Sequence, residues 1–109
     1  MEPVKLTDTL SVAGQVQPEE VEQLAKAGFK AIICNRPDDE EPGQPDFAEI
    51  AAAAEAQGLE VRHIPVDASR PVEMQKDAFA RALAELPAPV LAYCRTGNRC
   101  TLLHQAVTG

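Results

Sequence analysis

"YCRTGNRC", residues 93–100, is the stretch on which the reading of this chain turns. Cys94 closes the apolar run "PVLAY" (89–93), and a loop with Gly97, Arg95 and Arg99 follows it. "NRCTLLHQAV" (98–107) then reads as a helix. Cys94 is a packing residue, a metal ligand or a nucleophile. A thiol attacks as its thiolate, and a free cysteine is mostly protonated at neutral pH. This loop has the parts that lower a thiol pKa. With Gly97 at positive φ, the backbone N–H groups of 95–99 turn inward. The helix starting near Asn98 points its positive end at them. Arg99 falls where a guanidinium grips an anion through two parallel hydrogen bonds. A plain core strand needs none of this, so Cys94 is read as the nucleophile, with Arg95, Thr96, Gly97, Asn98 and Arg99 as its anion-binding loop.

Outward from the loop, short apolar strands alternate with amphipathic helices. "VKLTDTLSVAGQV" (4–16) reads as two short strands joined at "TDT". "QPEEVEQLAKAG" (17–28) reads as a helix, with Pro18 in its first turn, Glu19 and Glu20 at its positive end and Gly28 at its stop. "FKAIIC" (29–34) is a strand, and "NRPDDEEPGQP" (35–45) a loop with three prolines and four consecutive acids, Asp38 to Glu41. Asp46 and Glu49 have capping-box spacing at the head of a helix over 46–58. "LEVRHIPV" (59–66) alternates as a strand. A third helix spans 70–86, with Val72, Phe79, Leu83 and Leu86 as its buried stripe. The order predicts a single α/β domain over 1–109, with a mostly parallel central sheet flanked by helices. Ligands in such folds bind beyond the carboxyl ends of the strands. Cys94, Asn35–Arg36 and Asp67 all fall at such ends.

Composition narrows the function. The chain has 109 residues, enough for one hydrophobic core. A net charge of −7 argues against a general nucleic-acid binder. All 17 acids lie in residues 1–87, and residues 88–109 hold only Arg95 and Arg99 as charges. That asymmetry predicts an anion pocket around Cys94 on an otherwise acidic body. No apolar run reaches the roughly 20 residues of a membrane span, and the N-terminus lacks the pattern of a signal peptide. The expected location is cytoplasmic, with the three cysteines, Cys34, Cys94 and Cys100, as reduced thiols.

"CRTGNR" resembles the active-site loop of rhodaneses, whose cysteine carries a persulfide. The rest of the chain, with "LTDTLSVAGQ", "GFKAIICNRPDDE", "VRHIPVD" and "PVLAYCRTGNR" in that order, resembles small cysteine-dependent dual-specificity phosphatases. Together these segments look most like the bacterial phosphatase-like domain of beta-lactamase-hydrolase-like proteins, whose members are often labelled sulfur transferases. The resemblance implies a cysteine-dependent phosphatase-like fold and two chemistries. Tyrosine-phosphatase-type loops place five residues between cysteine and arginine; here four intervene, as in rhodaneses. On that spacing the favoured expectation is a sulfurtransferase holding a persulfide on Cys94, fed by a small anionic sulfur donor. A sulfur-acceptor or sulfide-oxidising partner protein would complete it. The alternative is a phosphomonoesterase that takes phosphoesters through a phosphocysteine. A third reading is a non-catalytic module sensing anions or redox state.

The chemistries ask different things of Asp67. In the phosphatase resemblance Asp67 matches the general acid that protonates the leaving oxygen; alternatively it caps a turn before Ser69 and Pro71. The resemblance also places a serine or threonine after the arginine, where this chain has Cys100. Cys100 is either a packing residue in the helix's first turn or a redox partner for Cys94. Cys100 and His104, four apart, have ligand spacing, but no second Cys/His pair accompanies them, and no metal or organic cofactor is expected. Cys34 and His63 read as structural, and Arg95 as pointing outward. Arg36 and the acids after it either frame the pocket mouth or form a solvated loop.

Overall fold

A computed structural model describes residues 2–109. The strands are β1 (Val4–Lys5), β2 (Leu10–Ala13), β3 (Ala31–Cys34), β4 (Glu60–His63) and β5 (Val90–Tyr93). The helices are α1 (Val21–Lys26), α2 (Phe47–Ala56), α3 (Val72–Glu85) and α4 (Asn98–Thr108). The strands form one sheet in the order β1-β2-β5-β3-β4. Four of them run parallel; β1 alone is antiparallel, on the edge beside β2. The expected α/β class and mostly parallel sheet are therefore what the chain adopts.

Period-two alternation explains how the strands serve two layers of helices. Ala31 and Ile33 of β3, with Val90 and Ala92 of β5, join Phe79, Ala82 and Leu103 on the α3/α4 face. Ile32 and Cys34, with Leu91 and Tyr93, join Leu24, Ile50 and Ala54 on the α1/α2 face. All four residues of β3 and of β5 are buried, as central strands covered on both sides must be. The α3 stripe falls as expected: Phe79 and Leu86 are buried, and Val72 and Leu83 pack against the cluster from its margin.

Helix starts follow their local chemistry, with one difference. The Glu49 carboxylate accepts the Asp46 N–H at 2.8 Å, closing the capping box of α2. The segment expected as a single helix from residue 17 begins instead with a 3₁₀ turn, Pro18–Glu20, and becomes α-helical only at Val21. Glu20 reaches back to the Gln17 N–H at 2.8 Å, which fastens this tighter first turn.

β5 lies in the middle of the sheet, so the chain leaving it emerges between β2 and β3. The register pairs Tyr93 with Ala13 on one side and Cys34 on the other. The 94–97 loop is thereby walled by the ends of both neighbours. A Cβ on Gly14 would lie 3.0 Å from the Arg95 carbonyl oxygen, so any side chain there would press the loop away from β2 by a few tenths of an ångström.

Candidate functional site: the Cys94 loop and the acidic loop above it

Gly97 sits at φ +92°, the left-handed region that glycine enters without penalty. This turn lets the Gly97 N–H donate to Cys94 Sγ at 3.0 Å. The backbone N–H groups of Thr96, Arg99 and Cys100 also point at the sulfur. α4 begins at Asn98, so its unpaired N–H groups and positive dipole end face the same atom. The Arg99 guanidinium lies close enough to the sulfur for the thiolate to favour its charge.

Cys94 is nearly enclosed, at 1% exposure, yet its thiol pKa is lowered from 9.0 to about 5. The largest cause is the neighbouring Cys100 thiol, which favours the Cys94 thiolate. Burial opposes it, and the backbone N–H groups add to it. Cys100 is pushed the opposite way, far up, by its own burial and then by Cys94. Cys100 thus supports the Cys94 thiolate from the position where the phosphatase resemblance implies a hydroxyl.

The acidic run folds back over this loop. Glu40 accepts Arg99 Nη1 at 2.7 Å on Oε2 and Arg99 Nη2 at 2.9 Å on Oε1, a two-point pairing across 59 positions of sequence. Its Oε1 also accepts Arg36 Nε at 2.8 Å, and the two guanidiniums lower the Glu40 pKa, Arg99 foremost. Glu41 accepts Arg36 Nη2 at 3.0 Å and the outward-pointing Arg95 Nε at 2.6 Å. Glu40, Glu41, Arg95 and Arg99 line an open cavity of about 420 Å³. The acidic loop therefore frames the pocket mouth, one of the two readings open for it, and sets two glutamates over the acid-free stretch around Cys94. Proximity along the chain does not show this, since the acids arrive from a different strand end.

Arg36 organises that loop. It is 4% exposed, and its third contact is Nη1 to Gln15 Oε1 at 3.0 Å. Its carbonyl oxygen is met by the Cys34 thiol at 3.3 Å and by His63 Nε2 at 3.0 Å. His63 stacks on Phe47 with centroids 4.5 Å apart, so it is a structural residue that pins the loop to α2. Asn35 ties three strand ends together: its N–H donates to Tyr93 O, its Nδ2 to Ile64 O, and its carbonyl accepts Val66 N–H. Among the described residues, Asn35 Oδ1 is the buried side-chain oxygen left without a partner.

Asp67 lies at the neighbouring strand end, and Arg99 Nη1 donates to Val66 O at 2.9 Å beside it. Its carboxylate is already committed. Oδ1 accepts the Ser69 N–H, the Ser69 hydroxyl and the Arg70 N–H, and Oδ2 accepts Arg70 Nη2 at 2.8 Å. Arg70 first, then Ser69, holds its pKa well below the usual carboxylate range. In this conformation Asp67 caps the turn and carries no proton to donate. Cys100 is enclosed against Cys94, and among the described residues no group of three His, Cys, Asp or Glu side chains is placed to hold a metal. No helix among them is long and apolar enough to cross a membrane.

A cysteine after the central strand of a parallel sheet, ringed by backbone N–H groups with an arginine beside it, is the arrangement of the cysteine-dependent phosphatase-like class. Residues 4–108 match the family described as the phosphatase-like domain of beta-lactamase hydrolase-like protein, and the chain belongs to that family. Curated relatives agree. The beta-lactamase hydrolase-like protein of Agrobacterium fabrum is 38% identical over 104 residues, and that of Xylella fastidiosa Temecula1 is 36% identical over 104. Each match takes in 95% of this chain and 24% of the relative, so the chain spans about a quarter of their length. Among solved structures, a candidate phosphatase from Neisseria meningitidis superposes with a TM-score of 0.86 at 42% identity, over 97% of this chain and 78% of that one. The catalytic core of Siw14 from Saccharomyces cerevisiae, a PP-IP phosphatase, matches with a TM-score of 0.73 at 15% identity, over 97% and 64%. That last likeness shows the fold alone.

Proposed function

We propose that this chain is a phosphatase-type hydrolase that uses Cys94 as its nucleophile and phosphoesters as substrates. The carrying observation is the convergence of backbone N–H groups, the Arg99 guanidinium and the Cys100 thiol on Cys94 Sγ. The same donors that hold a thiolate suit the equatorial oxygens of a phosphoryl group above it. Cys94 Sγ attacks phosphorus, the ester P–O bond breaks, and a phosphocysteine forms. Water then attacks phosphorus and returns the thiolate with inorganic phosphate. The family description and the Neisseria structure favour this chemistry over the sulfur transfer expected from the loop spacing.

Leaving-group protonation distinguishes substrates. With Asp67 bound to Ser69 and Arg70, substrates whose leaving oxygen needs no acid, such as aryl phosphates, suit the site best. The test is turnover of an aryl phosphate by wild type, Cys94→Ser and Asp67→Asn. Turnover is expected in wild type, none in Cys94→Ser, and less than a tenfold loss in Asp67→Asn. A loss of about a hundredfold or more in Asp67→Asn would instead assign Asp67 the proton, since general acid catalysis contributes about 10²–10⁴-fold.

Sulfur transfer stands as the second reading on two observations: four residues separate Cys94 from Arg99, and Cys100 replaces the hydroxyl. The Cys94 thiolate would take the outer sulfur of thiosulfate and release sulfite, and cyanide would remove that sulfur as thiocyanate. Thiocyanate formation without aryl phosphate turnover would reverse the order of the two readings.

A further inference from the structure

Glu40 is the side chain in the pocket whose place neither chemistry requires. Arg99 has five N–H donors, and the hydrogen bonds to Glu40 and Val66 O use three of them. What remains is shared between Cys94 and any ligand. The charges tell the same story. Arg36, Arg95 and Arg99 face Glu40, Glu41 and the Cys94 thiolate, and the six cancel. An ordinary anion cradle offers its arginine's full positive charge. Here a resident carboxylate already sits on it, within hydrogen-bond distance of the donors an incoming oxyanion would use.

We propose that Glu40 is a specificity-determining residue that makes the Cys94 loop take singly charged tetrahedral oxyanions in preference to doubly charged ones. A second negative charge on the ligand meets the Glu40 carboxylate without a free guanidinium to offset it. The inference deepens the phosphatase reading and rests on it for its substrate: the ester would enter as its monoanion. That form carries the proton Asp67 does not hold. As the Cys94 S–P bond forms and the P–O bond breaks, the phosphoryl proton moves to the leaving oxygen, giving an alcohol and a dianionic phosphocysteine.

Sulfate and perchlorate share a shape and differ by one charge, so they are the probes. Their dissociation constants are read from the Gly97 amide in two-dimensional nitrogen–proton NMR spectra at matched ionic strength and pH 7, a binding readout independent of turnover. Perchlorate is expected to bind wild type more tightly than sulfate. In Glu40→Gln, sulfate should tighten about tenfold and perchlorate about threefold or less, because the lost repulsion scales with ligand charge at an intermediate dielectric. Glu40→Asp keeps the charge and should keep the preference for perchlorate. Glu22→Gln, which removes the same charge from the distant pair with Lys26, should shift neither anion more than about twofold. Equal binding of the two anions by wild type would overturn the proposal. So would equal tightening of both in Glu40→Gln, or a Glu40→Asp variant that takes sulfate as well as Glu40→Gln does. If neither anion moves Gly97, the proposal falls together with the anion cradle. Charge selection without phosphate turnover supports the proposal and removes only the phosphatase reading.

Discussion

Two cysteines end neighbouring strands of the same sheet and are driven in opposite directions. Cys34 closes β3 and is 2% exposed; Cys94 follows β5 and is 1% exposed. Burial raises the Cys34 pKa from 9.0 to about 11, whereas Cys94 falls to about 5. Burial opposes ionisation at both, so it cannot be the difference. The partners are. At Cys34 burial wins: the Tyr93 side chain and the Arg36 backbone favour the thiolate too weakly to offset it, and the thiol donates to the Arg36 carbonyl at 3.3 Å. Cys94 instead gathers the Cys100 thiol, four backbone N–H groups and Arg99. A buried strand-end cysteine with few donors stays a thiol; one that runs into the start of a helix through a left-handed glycine gathers enough donors to become a thiolate.

The largest effect expected from this contrast is in titration. Ultraviolet thiolate absorbance between pH 4 and 10, compared in wild type, Cys94→Ser and Cys34→Ala, should show one thiol ionising near pH 5 that only Cys94→Ser removes. Stability follows by linkage. The folded pKa of Cys94 is depressed, so its contribution is fully present above the unfolded thiol value and is lost as pH falls through about 5. Between pH 5 and 7, wild type should gain on the order of 2 kcal/mol in urea unfolding relative to Cys94→Ser. Cys34 and Cys100 have raised values, so their contributions are lost only as pH rises above the ordinary thiol range and add no slope in this window. A flat difference between the two proteins from pH 5 to 7 would erase the distinction between the strand ends.

Next in size is the glycine that turns the donors inward. A Cβ on Gly97 would lie 3.5 Å from the Ala13 backbone, an ordinary contact, so Gly97→Ala tests φ rather than space. It should cost about 1–2 kcal/mol in unfolding. It should also raise the Cys94 pKa, because the loop relaxes by rotating its N–H groups off the sulfur. Lost stability with an unmoved Cys94 titration would mean that the loop's amides are not what depresses it.

The contrast also explains what was legible in the sequence. The strand, Cys94, Gly97, Arg99 and α4 are contiguous, and backbone geometry within eight residues fixes their relation. The alternating order of helices and strands likewise declared the parallel sheet. Glu40 on Arg99 was not legible, because 59 positions separate them and only the β5–β3 adjacency brings them together. Charge counted along the chain shows only an acid-free stretch around Cys94, and the acids after Arg36 could equally frame the pocket mouth or form a solvated loop. The Asp67–Arg70 pair lay within reach of a spacing argument, since residues three apart in a turn can meet. The sequence leaves both roles of Asp67 open, general acid by the phosphatase resemblance and turn cap by Ser69 and Pro71.

The smallest effect isolates Cys100, which stands where the phosphatase resemblance implies a hydroxyl. Its thiol is the largest single contribution to the lowered pKa of Cys94. A hydroxyl is the stronger donor but the shorter one, and Cys100 is fully buried, so Ser must reach across a slightly wider gap. Cys100→Ser should therefore hold the Cys94 pKa close to its wild-type value and change aryl phosphate turnover less than about threefold. Cys100→Ala has no donor; its Cys94 pKa should move up, with stability lowered by about 1 kcal/mol from the lost side-chain volume. The titration separates the two roles, because a packing residue alone would let Ala and Ser shift Cys94 equally. If they do, the backbone N–H groups and Arg99 suffice to hold the thiolate, and the contrast with Cys34 rests on main-chain geometry alone.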